Sequence, residues 1–391
     1  MLTMLAPAPH RHCAPEPDCG LCGAPLHRSL LDLGTVPLTH RSLAAAEPDT
    51  RHPLHIRLCD HCGLAQTGAS PGGAAADHAF AEPAGRPGRY AETLRSRFHL
   101  NADSLVVDIG AAESPLLPHV QAAGIPVHPI EAATFNTATA MQIAVQQGCA
   151  DIVLAHGVLP LAADMFEFAA ALACILRPNG VVSLQFPHLL SLIQRVQFDA
   201  FRPDIRAHLS LPVTERLLRS VGLRVFDAER IPDDGGSLRL HVCHLHSRRD
   251  ARPGVKAVRL TEADQPALAA GFAARVALAR DDIRGFLRAR RDAGRRVTAY
   301  GATARAAMLL NLCGVTPDEI ATVADTDTTQ HGRRMPGSRL PIGAPESVTA
   351  DPPDDLIILP GPHVSDILRH FPTLRQTGTQ IWTLLPRIAR V

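Results

Sequence analysis

The sequence predicts an α/β protein with two helix-covered sheets and a small cysteine-bearing module ahead of them. Three observations predict it. Apolar runs of strand length alternate with helical patterns in two successive stretches. Two Cys-x-x-Cys pairs stand near the amino end. The 391 residues, 46% hydrophobic and 20% charged, suffice for two or three domains with an ample core. Lys and Arg number 39 against 38 Asp and Glu, a formal charge of +1. That balance argues against duplex-DNA binding or attachment to a membrane surface through bulk charge, and favours small-molecule work. No run reaches the roughly 18 to 20 uncharged apolar residues of a membrane helix, and Met1 to Cys13 lacks the basic and apolar regions of a leader. The expectation is a cytoplasmic protein with no nucleic-acid or membrane partner; the oligomeric state stays open.

Composition divides the chain into a module at 1–68, a linker or lid at 69–89, a central domain at 90–247 and a C-terminal domain at 248–391. Cys19 to Gly68 reads as loop-like, and Ala69 to Pro87 is rich in Pro, Gly and Ala without apolar periodicity. In the central domain Ser104 to Ile109 is a strand that ends at Gly110, followed by a helix from Pro115 to Ala123. Pro126 to Ile130 is a strand closing on Glu131, and Asp151 to Ala155 is the next, with a helix from Asp164 to Leu176. Arg177 to Gly180 reads as a turn before a strand from Val181 to Phe186. A helix at Thr214 to Val221 and strands at Leu223 to Ala228 and Ser237 to His244 close the domain. The last domain opens with one long amphipathic helix, Ala263 to Ala293, whose Arg288, Arg290 and Arg291 read as a solvated face. Strands follow at Val297 to Tyr300, Ile320 to Ala324 ahead of Asp325, and Asp355 to Leu359, with a helix to Leu312 after the first.

The cysteine pairs carry the sharpest chemistry. Cys19-Gly-Leu-Cys22-Gly23 and Cys59-Asp-His-Cys62-Gly63 can each present two thiolates from a glycine-ended turn, and four thiolates suit a closed, structural zinc site. The 36 residues between the pairs exceed the usual spacing of about 15 to 20, so two pairs of free thiols remain the alternative. His12, Cys13 and His61 read as surface residues. The strand-to-helix turn at Gly110, with Glu131 ending the next strand, fits a nucleoside-type cofactor. S-adenosylmethionine and a dinucleotide are both open at this point, and an ordinary strand end is the plainer alternative. His156, His188 and His208, with Asp199, Arg202 and Asp204, lie near expected strand or loop ends, where a histidine can serve as a general base.

Several co-linear runs then resemble one family, the zinc-containing, S-adenosylmethionine-dependent C-methyltransferases that act on keto-deoxysugar nucleotides in antibiotic pathways. The cysteine pairs with Leu31-Asp32-Leu33-Gly34, Pro37 and Pro53-Leu54 are similar to its amino-terminal zinc module. Val107-Asp108-Ile109-Gly110 and Ile130-Glu131 resemble its cofactor strands. Gln197-Phe198-Asp199 and Gly235-Gly236-Ser237-Leu238-Arg239 are similar to runs of its central domain, and Tyr300-Gly301-Ala302, Leu309-Leu310-Asn311, Gly332-Arg333, Pro336-Gly337 and Pro341-Ile342 to its last domain. The resemblance implies a central class I methyltransferase-like, Rossmann-like domain and a Rossmann-like α/β C-terminal domain. It implies S-adenosylmethionine held by Gly110, Glu113 and Glu131, structural zinc on Cys19, Cys22, Cys59 and Cys62, and a nucleotide-linked sugar or related keto substrate.

Departures fall where chemistry is expected. The family's second glycine in the first turn is Ser114 here, ahead of Pro115. Its Tyr-His-Glu-His run is replaced by Arg202, Pro203, Asp204 and Ile205, a loop histidine by Leu161, and its aromatic linker by His78 to Pro83 without a tyrosine. Arg202, Asp204, His208 and His188 are then the catalytic candidates. The competing expectation is a scaffold turned to isomerisation, cyclisation, elimination or binding alone.

Overall fold

The computed structural model describes residues 17–68, 87–110, 114–232, 235–361, 364–372 and 374–391. Glu113, His12, Cys13 and the segment His78 to Pro83 lie outside them. Among the described residues sixteen strands form three sheets.

The amino-terminal module is a sheet where a loop was expected. Strands β1 (Arg28–Pro37), β2 (Arg51–Leu58) and β3 (Ala65–Thr67) pair antiparallel in that order. The usual alternation is hidden in the sequence because β1 twice slips register against β2, between Ser29 and Leu31 and between Asp32 and Thr35. The long interval between the cysteine pairs is this hairpin.

The central sheet contains β4 (Val106–Gly110), β5 (Val127–Glu131), β6 (Ala150–His156) and β7 (Leu176–Pro187). The two-residue strand β8 (Ala207–His208) leaves this stretch to pair with β3, so the module takes its fourth strand from the central part. Strands β9 (Leu223–Ile231) and β10 (Ser237–His244) complete the central sheet in the order β5-β4-β6-β7-β10-β9, with β10 antiparallel to both neighbours. Strands β4 and β6 are parallel neighbours, but the order in which strands are added reverses at β4, with β5 on one side of it and β6 on the other, which places the topological switch point beside Gly110. The expected Arg177 to Gly180 turn lies inside β7 as a bulge: Ala150 faces Leu176 and Ile152 faces Val181, so four residues loop out against one.

The third sheet contains β11 (Val297–Tyr300), β12 (Val323–Ala324), β13 (Ile342–Gly343), β14 (Asp355–Ile358), β15 (Gln380–Thr383) and β16 (Ala389–Arg390) in the order β13-β12-β11-β14-β15-β16. It is parallel except for β16. The single helix expected over Ala263 to Ala293 is broken into Gln265–Ala270 and Phe272–Asp292 at Gly271, after a short turn at Glu262–Asp264. Pro266 starts the first piece because it lacks an N–H for any preceding turn.

One hydrophobic cluster runs through all three parts. Leu30, Leu54 and Ile56 of the module pack with Leu192, Phe198 and Phe201 of the central part and with Phe272, Met308 and Leu310 of the last. The loop after β1 adds polar contacts: Arg333 Nη2 donates to Ser42 O at 2.9 Å, Arg339 Nη1 to Glu47 O at 2.8 Å, and Gly337 N to Asp49 Oδ1 at 2.9 Å. Gly337 has φ of +75°, and a Cβ there would stand 1.9 Å from Asn311 Nδ2. Gly337→Ala is therefore expected to lower stability by about 1–3 kcal/mol, a few degrees in thermal melting. An unchanged melting curve would show that this loop yields freely.

Candidate functional site

The four paired cysteines converge. Their sulfurs all lie within 4.8 Å of one another, with Cys19 to Cys62 and Cys22 to Cys59 each at 3.5 Å. A zinc–sulfur tetrahedron with bonds of about 2.3 Å has edges of about 3.8 Å, so the spacing fits the ion. Each pair sits on the same backbone turn. Gly23 N donates to Cys19 O at 2.8 Å and Gly63 N to Cys59 O at 2.9 Å, with φ of +71° and +78°, a conformation that favours glycine. Burial, and then the neighbouring Cys19 and Cys59 sulfurs, push the Cys62 thiol up, which is the electrostatic cost a dication removes. All four positions are protein ligands, so the site holds structure and offers no open coordination position. His61 is exposed and outside the cluster.

The candidate cofactor edge lies at the end of β4. Gly110 and Glu131 are register partners on adjacent parallel strands, and Glu131 is exposed. A Cβ at Gly110 would find its nearest neighbour, Val158, at 3.8 Å, so the backbone has room in front of it. Asp108 points to the other side of the strand from Val107 and Ile109, is buried, and has an Oδ2 without a partner. Burial raises its carboxyl to about 6, against a hydrogen bond with Ser114. A carboxylate kept from water with one oxygen unused suits a cationic or N–H-bearing ligand. The donor set fits an adenosyl amino-acid cofactor: an exposed carboxylate for ribose hydroxyls, a glycine at the strand end and a buried carboxylate for an ammonium.

Arg202, Asp204 and His208 are brought together near the same edge. Arg202 forms a two-pronged pair with Asp204, Nε to Oδ1 at 3.1 Å and Nη2 to Oδ2 at 2.9 Å, both residues being buried. His208 stacks on Phe201 at 4.3 Å, and burial followed by the charge of Arg202 pushes its imidazole down to about 3. It is neutral, and its Nε2 has no partner. The loop after β6 touches this group through Arg206 N, which donates to Pro160 O at 2.9 Å. His188 is separate: fully buried, it donates from Nε2 to Glu262 Oε1 at 2.7 Å. Asp325 accepts from Ala302 N at 2.5 Å and Asp327 N at 2.8 Å, so both its oxygens tie loops of the last sheet.

A second polar group lines the α-helical face of the central sheet, and sequence reasoning found only His156 of it. Ser183, Gln185, Arg239 and His241 alternate along β7 and β10 and are buried. Tyr90, from the helix Pro87–Phe98, covers them; its OH lies 2.6 Å from Ser183 Oγ and 3.3 Å from His241 Nε2, and Arg239 stacks 3.5 Å over its ring. Arg239 Nε donates to Gln185 Oε1 at 2.7 Å. The available signal is period-two polarity, Ser183-x-Gln185 and Arg239-x-His241, inside strands that are otherwise apolar.

Comparison with known proteins finds two family models that match parts of the chain. A family model described as a zinc binding domain matches residues 19–71, and one described as C-methyltransferase C-terminal domain matches residues 232–386. The chain is 24% identical to the C-methyltransferase NovU of Streptomyces niveus over 95% of its own length and 96% of that protein's. Among solved structures, similarity extends to a Burkholderia thailandensis 1,6-didemethyltoxoflavin-N1-methyltransferase (16% identity, 40% of this chain and 78% of that one, TM-score 0.29). It extends also to the mitomycin 7-O-methyltransferase MmcR (17% identity, 41% of this chain and 53% of that one, TM-score 0.29). Among the described residues no helix is long and apolar enough to cross a membrane.

Proposed function

On the matches to a zinc-binding-domain model and to a C-methyltransferase C-terminal-domain model, we propose that the protein methylates a carbon beside a ketone in a small acceptor, a sugar nucleotide or related substrate of a natural-product pathway. S-adenosylmethionine, when bound, supplies a methyl group on a positively charged sulfur. Glu131 would hold its ribose hydroxyls, the Gly110 backbone would lie against it, and Asp108 would take its ammonium; Glu113, three positions after Gly110 in the sequence, is the fourth proposed contact. The acceptor would lie between the central and C-terminal domains, a common setting for ligand sites. There Arg202 and Asp204 act as a unit, the guanidinium holding negative charge on oxygen and the carboxylate receiving the proton that leaves carbon. His208 stays neutral at their side, and His188 positions the segment that carries them.

The observation that carries this reading is the cofactor edge: a buried, partnerless Asp108 oxygen on the strand that sets Gly110 against Glu131. Calorimetry tests it. S-adenosylmethionine is expected to bind, and near pH 6 binding is expected to release a fraction of a proton, because a cation beside Asp108 lowers a carboxyl now raised to about 6. The proton shows as a dependence of the heat on buffer ionisation. Glu131→Ala is expected to weaken binding by roughly ten- to a hundred-fold through loss of charged hydrogen bonds. No binding of S-adenosylmethionine or S-adenosylhomocysteine by the unmodified protein refutes the reading.

One observation favours a second reading, a methyltransferase scaffold turned to isomerisation, cyclisation, elimination or binding alone. Arg202 and Asp204 already satisfy each other, and burial, which pushes the His208 imidazole down to about 3, makes it a weak proton acceptor, so the cluster presents no ready base. A methylated product detected by mass spectrometry from a keto-sugar nucleotide removes this reading.

A further inference from the structure

The first cysteine turn is braced by a side chain from outside it. Gln66 lies in β3 with a strand on either side, its register partners being Arg57 of β2 and Ala207 of β8. It is 8% exposed, and Gly20 N, inside the Cys19-Gly-Leu-Cys22 turn, donates to its Oε1 at 3.0 Å. A backbone N–H can only donate, so the oxygen of the amide must face Gly20 and the Nε2 end is fixed on the other side. A Cβ at Gly20 would stand 3.3 Å from Oε1, so the absence of a side chain there lets the amide sit close to the turn. Nε2 itself is buried and has no hydrogen-bond partner among the described residues.

That donor stands beside a sulfur. Burial raises the Cys19 thiol, whereas the Leu21 and Cys22 N–H groups and then the Gln66 side chain lower it. Leu21 N lies 3.5 Å from Cys19 Sγ. A thiol is a weak acceptor, and a buried donor left with nothing better costs about 1–3 kcal/mol. The cost falls once Cys19 is a thiolate on a dication. Four thiolates around one dication leave a net negative charge at a site where Cys19 and Cys59 are buried, and N–H groups aimed at the sulfurs spread that charge. Because β3 is paired along both edges, the Gln66 backbone is held before any metal arrives, and little conformational freedom is lost when the bond forms.

We propose that Gln66 is a positioning residue of the metal centre, whose Nε2–H donates to Cys19 Sγ in the loaded protein while its Oε1 holds Gly20 N, so that one amide fixes both a ligand and the turn that carries it. Gln66 makes no bond to the metal. The proposal rests on the zinc reading of the four cysteines and is independent of the methyltransferase reading.

Two variants separate the two halves of the amide. Gln66→Glu keeps an oxygen for Gly20 N but turns a second oxygen towards Cys19 Sγ, and Gln66→Leu removes both contacts. In competition with a chelator, each variant is expected to hold zinc about 10–100-fold more weakly than the unmodified protein, with Gln66→Glu no better than Gln66→Leu. With cobalt(II) in place of zinc, the thiolate-to-metal charge-transfer band is expected to move to lower energy in both, because a sulfur without its N–H donor gives up an electron more readily. Zinc affinity and a cobalt spectrum of Gln66→Glu equal to those of the unmodified protein would show that the amide only braces Gly20, and would overturn the proposal. The unmodified protein gives an answer even if both variants fail to fold. Loaded with cadmium-113 and labelled with nitrogen-15 in its glutamine side chains, it is expected to show scalar coupling between the metal and the Gln66 Nε2 protons through the Cys19 sulfur. Absence of that coupling in the loaded protein overturns the proposal. A protein that takes up neither zinc, cobalt nor cadmium overturns the zinc reading, and this inference with it.

Discussion

Removal of zinc is expected to unfold the amino-terminal module and to open the junction of the other two parts. The four sulfurs stand within 4.8 Å of one another. Without a dication the four cannot all be thiolates: hydrogen bonds lower Cys19 to about 7, but burial and its sulfur neighbours push the Cys62 thiol up. Structural zinc sites contribute on the order of 10 kcal/mol to small domains, more than most mutations remove. The loss would spread because the module has no separate core: Leu30, Leu54 and Ile56 belong to the same cluster as Phe201 and Met308. Purified protein is expected to carry about one zinc per chain. Chelation, or Cys59→Ser, is expected to lower the melting temperature by more than 10 °C and to expose sites between β1 and β2 to protease. A chelated protein that melts as before, with its proteolysis pattern unchanged, would show that the cluster is not a stabilising metal site.

The candidate metal cluster was legible because the chemistry is local, the cysteines of each pair being separated by two residues and followed by a glycine. The sheet around them was not. Register slips in β1 break the alternation, and its fourth strand, at Ala207 and His208, comes from about 140 residues away, a pairing that no periodicity encodes. The central strands were legible for the opposite reason. Parallel strands buried on both faces are nearly continuous apolar runs, and β4, β6 and the end of β7 are such runs. The same property hides the polar group beneath Tyr90. Ser183, Gln185, Arg239 and His241 interrupt apolar strands only at every second position, and their meaning depends on β10 being inserted between β7 and β9. His156 and Gly110 were visible as strand ends, whereas the unused oxygen of Asp108 becomes evident only when burial is known.

Loss of the Glu262 carboxylate is expected to be the next largest effect, and it concerns His188. Glu262 is buried in the short turn ahead of Gln265–Ala270 and accepts from two buried donors: His188 Nε2 at 2.7 Å, and Leu211 N at 2.9 Å to Oε1 and 3.2 Å to Oε2. The carboxylate therefore fixes the proton of His188 on Nε2 and leaves Nδ1, 3.2 Å from Ser191 Oγ, to accept from that hydroxyl. One carboxylate ties the end of β7, the start of the helix Leu211–Ser220 and the entry to the last domain. Glu262→Leu leaves both donors without an acceptor, at about 1–3 kcal/mol each, which corresponds to a fall of roughly 2–7 °C in melting temperature. Glu262→Gln keeps one carbonyl oxygen and should lose less. Because the cost lies in stranded donors, adding His188→Leu to Glu262→Leu should recover part of it, a non-additivity of about 1 kcal/mol or more. Strictly additive losses would mean that the two side chains act independently, and the carboxylate would then be no joint between the domains.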